Sequence, residues 1–353
     1  MLTIHHAILH SFDLRSGEIY LSARELDLDD RKAKSFVTRH VKKASQSMDN
    51  NHGQFTEDSG FAQELSRYLA GYMDFLEFSQ QIGRFFYEEL RKGDQEAPCD
   101  LLVVDFENQP DQRQMEDDPE RMSQAFEGQR TRYFIMLLLP RKEIFIHSMY
   151  GEGGQAVAEV MRTDACLPSP TQKIDTYAVV DCNDMSVAFK DKPRTIAGAT
   201  TYLIPAGLLS CSHEASSKEV IESVVTIVED VAEEYGMNST VALSKAKAYV
   251  TDCAENEQDV NPEEVGRKVF QGEPDKIETF QKKAEIQHLP ETVQVKKGQT
   301  TRMTKVQKIK TDTGVEISFP SQYADSTDFI EFISEADGTL NIHIKGIGSI
   351  ENK

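Results

Sequence analysis

The sequence predicts an α+β fold: an N-terminal mixed α/β region, a helical middle and a small antiparallel β piece at the C-terminal end. Three observations carry that reading. Over the first 210 residues, short β-type runs are interleaved with amphipathic helical stretches. From Ser217 the apolar residues recur at intervals of three and four. Beyond His288, alternating segments return, separated by Thr-Gly and Asp-Gly turns. The boundaries predicted from these shifts are 1–210, 211–290 and 291–353.

In chain order, Thr3 to His10 reads as a strand and Ser16-Gly17 as a turn into a second strand, Glu18 to Leu21. A basic helix follows from Asp29 to Ser47, with Ala33, Val37, Val41 and Ala44 as its buried stripe, and Asn50 to Gly53 ends it as turn residues. Two more helices meet near Gly71: the first places Phe61, Leu65 and Leu69 on one stripe, the second Phe75, Phe78, Ile82, Phe85, Phe86 and Leu90. Strands are predicted at Asp100 to Phe106 and Arg132 to Leu139, flanking an acidic, polar loop over 107–130. Ile144 to Tyr150, Thr176 to Val180, Ser186 to Lys190 and Thr200 to Ile204 add further β segments. Val220, Val224, Ile227, Val228 and Val231 then open the helical middle, and Gly236 stops that helix. The C-terminal piece reads as four antiparallel strands, Arg302 to Lys310, Val315 to Phe319, Phe329 to Ser334 and Leu340 to Lys345.

Composition narrows the function class. With 39% hydrophobic and 28% charged residues in 353, the chain is ordinary globular material. Its longest apolar run, Tyr133 to Leu139, is closed by Pro140 and Arg141, far short of the roughly 20 residues that cross a bilayer. The opening MLTIHHAILHSFD has no basic leader, so a cytoplasmic location is expected. Cys99, Cys166, Cys182, Cys211 and Cys253 are odd in number and scattered, which predicts reduced, structural thiols.

Charge is segregated. The net charge is −20, yet Arg31 to Lys43 and Val295 to Lys310 carry six cations each and no carboxylate, leaving −32 on the remainder. Such concentration is the footprint of an anion or nucleic-acid contact, although a cationic helix face is also how a plain solvated helix looks. As a strand, the second stretch puts Arg302, Lys308 and Lys310 on one face with Thr304 and Val306.

Catalytic signatures do not emerge. Ser148 to Val160 follows a strand and contains Gly151, Gly153 and Gly154, but it has neither GK[ST] nor GxGxxG and reads as a flexible connection. His213-Glu214 begins like HExxH, but Ser217 stands where the second histidine belongs. His5, His6 and His10 straddle both faces of a strand and read as ordinary strand histidines. The expectation is a non-enzymatic protein without cofactor or metal.

The segments IHHAILHSFD, GQFTEDSGFAQELSRYL, DFLEFSQQIGRFFYEEL, CDLLVVDF, RYFIMLLLP, KIDTYAVVD and ISFPSQYADSTDFIEFISEADGTLNIHIKGI, taken in order, resemble the bacterial nucleoid-associated protein family over nearly the whole chain. The resemblance implies a cytoplasmic protein at the nucleoid, with double-stranded DNA or nucleoid proteins as partners and no catalytic residues to carry over. One departure is Thr200 to Ser217, nearly free of positive charge where relatives can carry a basic, glycine-containing segment.

The candidate DNA-binding residues are therefore Lys296, Lys297, Arg302, Lys305, Lys308 and Lys310, with Arg31, Lys32, Arg39 and Lys43 on the helix. The alternative is an interaction module recruited to the nucleoid without touching DNA. A homo-oligomer through the stripe Val220 to Val231 is also expected.

Overall fold

The computed structural model describes residues 2–93, 97–109, 130–152, 155–196, 198–295, 300, 306–323, 328–334 and 340–349. The fold is α+β, with an antiparallel sheet and helices first, a helical middle and small C-terminal hairpins. The chain divides into two compact units, Met1–Glu214 and Ala215–Lys353.

The first unit is built on a seven-stranded sheet. Its strands are β1 (Leu2–Asp13), β2 (Glu18–Tyr20), β3 (Asn51–Gln54), β4 (Cys99–Asn108), β5 (Thr131–Pro140), β8 (Tyr177–Asp181) and β9 (Ser186–Lys190), in the order β2-β1-β4-β5-β8-β9-β3. Every pairing is antiparallel. Antiparallel sheets often keep one wet face, but here both faces are covered, which explains the unbroken apolar runs in β4 and β5. Helix α1 (Arg31–Ser45) lays Val37, Val41 and Ala44 on Ala7, Leu102, Val104, Ile135, Leu137 and Val179. The opposite face, with Ile8, Leu101, Val103, Phe134, Met136 and Val180, is covered by α2 (Gly60–Leu69), α3 (Phe75–Arg91) and a π-helical turn, Leu203–Leu209. Side chains alternate along each strand, so odd and even positions of β4 feed two separate cores.

Local chemistry fixes the helix ends. Asp74 caps α3 by accepting from the Glu77 amide at 2.7 Å, and Gly71, at φ +78°, makes the left-handed turn that separates α2 from α3. Two buried ion pairs tie layers together. Asp105 accepts from Arg132 Nε at 3.0 Å and from the Tyr68 hydroxyl, linking α2 to β4 and β5. Burial and that hydrogen bond push the Tyr68 phenol well above its ordinary range. Asp191 accepts from Arg194 Nη1 at 2.6 Å and from the Ile204 amide at 2.7 Å, so it holds the start of the π-helical turn.

Four local expectations change. Phe85, expected on the buried stripe of α3, lies at the stripe's edge and is 45% exposed. Asn50 to Gly53 is not a turn closing the helix: Asn51 to Gln54 pair with Phe189 to Ser186 as an edge strand, a contact 130-odd residues away that no local pattern announces. Thr200 to Ile204 is not one strand, because β11 (Ala199–Thr201), paired with β10 (Arg194–Ile196), stops before the π-helical turn begins at Leu203. Ser148 to Val160 is not a flexible connection. It lies in a hairpin of β6 (Lys142–Glu152) and β7 (Gln155–Cys166), paired from Lys142↔Cys166 to Glu152↔Gln155, with Gly153 and Gly154 outside the described residues. Of the predicted loop 107–130, Glu107 and Asn108 finish β4, and 110–129 lie outside the described residues.

The second unit opens with four helices: α4 (Ser217–Glu234), α5 (Ser239–Glu255), α6 (Pro262–Val269) and α7 (Pro274–Ile286). Ser216 and Glu219 form a reciprocal capping box at the start of α4. Val220, Val224, Ile227, Val228 and Val231 are buried within this unit, where α4 packs on α5, α6 and α7. The stripe expected to join two copies is therefore used up inside one chain. Gly266 lets α6 approach α7: a Cβ there would meet Phe280 Cδ1 at 2.4 Å. The C-terminal strands form two hairpins rather than one four-stranded sheet, β12 (Val306–Lys310) with β13 (Glu316–Pro320) and β14 (Ile330–Ser334) with β15 (Leu340–Ile344). They share a small core of Phe319 and Ile330 with Ile309, Ile317, Phe332 and Ile342.

Candidate nucleic-acid interface

Helix α1 brings the predicted cations together. At 3.6 residues per turn, Arg31, Lys32, Arg39, Lys42 and Lys43 fall within an arc of about 120°, opposite the buried Val37, His40, Val41 and Ala44. All five are exposed, as is Lys34 on the flank. Among the described residues, no carboxylate pairs with Arg31, Lys32, Lys34, Arg39 or Lys42. Lys43 is partly committed, since its Nζ donates to the Thr171 and Gln172 carbonyls at 2.8 and 2.7 Å.

The helix holds these groups rigidly. Asp30 caps its start by accepting from the Lys32 amide at 3.0 Å. Lys42 and Lys43 sit at the C-terminal end, where the helix dipole favours cations, whereas Arg31 and Lys32 sit at the N-terminal end, where it does not. Propensity and dipole therefore do not account for the whole arc. His40, which sequence reasoning missed, faces the sheet: it is buried, its Nε2 lies 3.3 Å from the Pro168 carbonyl, and burial lowers its pKa. Its spacing of three from Val37 and four from Ala44 was the signal that could have found it.

The C-terminal stretch is less concentrated. Lys308 and Lys310 share an exposed face of β12 with Val306, as period-two alternation predicts, while Ile309 points to the core. Lys310 is 3.4 Å from Glu316 on the adjacent strand, which offsets its charge. Lys296, Lys297, Arg302 and Lys305 lie outside the described residues.

The other chemistry-bearing residues are spread through the fold. His5 faces Glu107 at 3.3 Å, His6 faces Glu25 at 3.0 Å, and His10 is buried, so the three do not converge. His213 packs edge-on against Phe189 and Tyr202. All five cysteines are free, and burial pushes the thiols of Cys99 and Cys182 up to about 12 and Cys211 to about 11. Among the described residues, no group of three or more His, Cys, Asp or Glu is placed to hold a metal ion, and no helix is long and apolar enough to cross a membrane. The charge-poor Thr200 to Ser217 contains the π-helical turn, whose Leu203, Ile204, Pro205, Leu208 and Leu209 are buried core.

Comparison with known families gives the context for the cationic helix. The family described as nucleoid-associated protein YejK matches residues 8–352. The chain belongs to this family. The match to the YejK family spans both compact units. A search of curated proteins returned no match.

Proposed function

We propose that this member of the nucleoid-associated YejK family binds double-stranded DNA directly and without sequence preference, using the cationic arc of α1. The observation that carries this reading is the arc itself: cations in a row on the solvent side of a helix whose other side is locked into a core. From Arg31 to Lys43 the helix rises about 18 Å, and one DNA strand carries a phosphate about every 3.4 Å of duplex axis, so an equal length of duplex carries about five phosphates per strand, enough for the four free cations of the arc. Contacts of this kind position a protein on the duplex and carry no base information. The strongly acidic remainder, at −32 outside the two basic stretches, limits the contact to those places. Lys308, on the exposed face of β12, supplies a second, single contact.

The test is a titration against random-sequence duplex DNA across a salt series. With Arg31, Lys32, Arg39 and Lys42 each neutralising one phosphate, log K against log salt falls with a slope of about −3.6 from the helix. Replacing these four by Gln flattens the slope by about that amount on every sequence, whereas Lys308→Gln changes it by about 1 at most. A folded quadruple variant with unchanged affinity and slope would sink direct contact through α1. Recruitment by a DNA-bound protein would then take its place.

A further inference from the structure

The β6–β7 hairpin is not part of the seven-stranded sheet, and among the described elements its strands pack on each other and on little else. Cross-strand pairing places Phe145 opposite Arg162, His147 opposite Val160 and Met149 opposite Ala158 on one face. That face is open: Phe145 is 74% exposed, Val160 72% and Met149 62%. The other face, with Ile144, Ile146 and Met161, is about half as exposed, at 37%, 41% and 41%. A two-stranded hairpin with one face open and little packed on the other among the described residues is marginal in water, so this arm calls for a partner.

We infer that the arm is a dimerisation element and that its occupant is the same face of a second copy of this chain, related by a two-fold axis. Two arguments select that occupant. The first is charge. The arm carries Glu143, Glu152, Glu159 and Asp164 against Lys142 and Arg162, which disfavours a polyanion. On the open face Arg162 is paired with Glu143 of the same arm, so the two charges offset each other and two such faces meet without strong like-charge repulsion. The second is area. The six exposed residues of that face present roughly 100 Å² each, about 600 Å² per copy, at the upper limit of what a monomer leaves open. Two copies together bury about 1,200 Å², the lower bound for a stable, specific interface. A two-fold contact is also self-complementary, since each residue meets its equivalent or that residue's neighbour.

The experiment is the molar mass of the full chain by light scattering at micromolar concentration, in the absence of DNA, so that its result is independent of the nucleic-acid reading. The wild-type chain gives twice 39.8 kDa. Phe145→Glu combined with Val160→Glu brings the mass down to one chain with an unchanged far-ultraviolet circular dichroism spectrum. Met149→Arg, further along the arm, does the same and serves as a second reading should the double variant misfold. Tyr72→Glu, at another exposed aromatic in the same unit, leaves the dimer intact. A wild-type mass of one chain, as for an arm that docks on a different protein, overturns the inference. So does a dimer that survives both arm variants or is dissolved by Tyr72→Glu.

Discussion

His10 makes the first unit sensitive to mild acid, by an amount that can be worked out. It lies fully buried on β1, with the Ser22 amide donating to its Nδ1 at 3.1 Å. Gly83 on α3 is packed so closely that a Cβ there would stand 3.2 Å from the imidazole Cδ2. Protonating Nδ1 would set two donors face to face in a buried site. Burial first, and the charge of Arg84 to a lesser extent, lower its pKa from 6.5 to about 4. The unfolded chain thus takes up a proton at this histidine near pH 6.5, while the folded chain resists until about pH 4. A depressed folded pKa means that the stabilisation is present above pH 6.5 and lost as the pH falls toward 4. Integrating between pH 7 and pH 5 gives a loss of about 2 kcal/mol from this one group.

Asn in place of His10 keeps an oxygen acceptor for the Ser22 amide but does not titrate. Urea unfolding of wild type and His10→Asn, followed by circular dichroism at pH 7 and pH 5, isolates the effect, because His40 and the buried Asp100 titrate alike in both proteins. The variant is less stable at pH 7 because packing is lost, but its decline to pH 5 is smaller by about 2 kcal/mol, or close to 1 M in the urea midpoint. Equal declines in the two proteins would refute the reasoning.

Two further outcomes follow from close packing. Asp191→Ala leaves the Arg194 guanidinium buried without its carboxylate and the Ile204 amide without its acceptor, so it costs about 3–5 kcal/mol in denaturant unfolding, whereas Asp58→Ala on the exposed surface stays within about 0.5 kcal/mol. Gly266→Ala drives a methyl into the Phe280 ring and destabilises the second unit by about 1–3 kcal/mol, and Phe280→Leu in the same chain recovers part of that loss by thermal melting.

What the sequence disclosed followed its periodicity. Strands β4 and β5 were legible because burial on both faces leaves an uninterrupted apolar run, and α2, α3 and α4 because their stripes repeat at three and four. Strand β3 was not, since Asn51 to Gln54 is held by hydrogen bonding to a strand distant in the chain rather than by its own apolar residues. Strand β7 was obscured by its composition: Ala156, Ala158, Glu159 and Arg162 look like a polar connection because neither face enters a core. In the candidate interface, the absence of acids in Arg31 to Lys43 was plain in the sequence. Which cations are free was not, because that depends on the Thr171 and Gln172 carbonyls reached by Lys43 and on the Glu316 carboxylate opposite Lys310.

The strand order of the large sheet also sets a timetable. Helix α1 rests on Leu102, Ile135 and Val179, and β3 pairs with β9, so neither has its full support until the chain has been made as far as Lys190. At about 5–20 residues per second, the roughly 130 residues between β3 and β9 take about 7–26 seconds to emerge. Throughout that interval the apolar side of α1 lacks part of its seat, and the helix cannot present its cations from a fixed platform. The cationic arc therefore lacks its fixed platform until β9 has been synthesised, and a chain truncated before Ser186 never completes that platform.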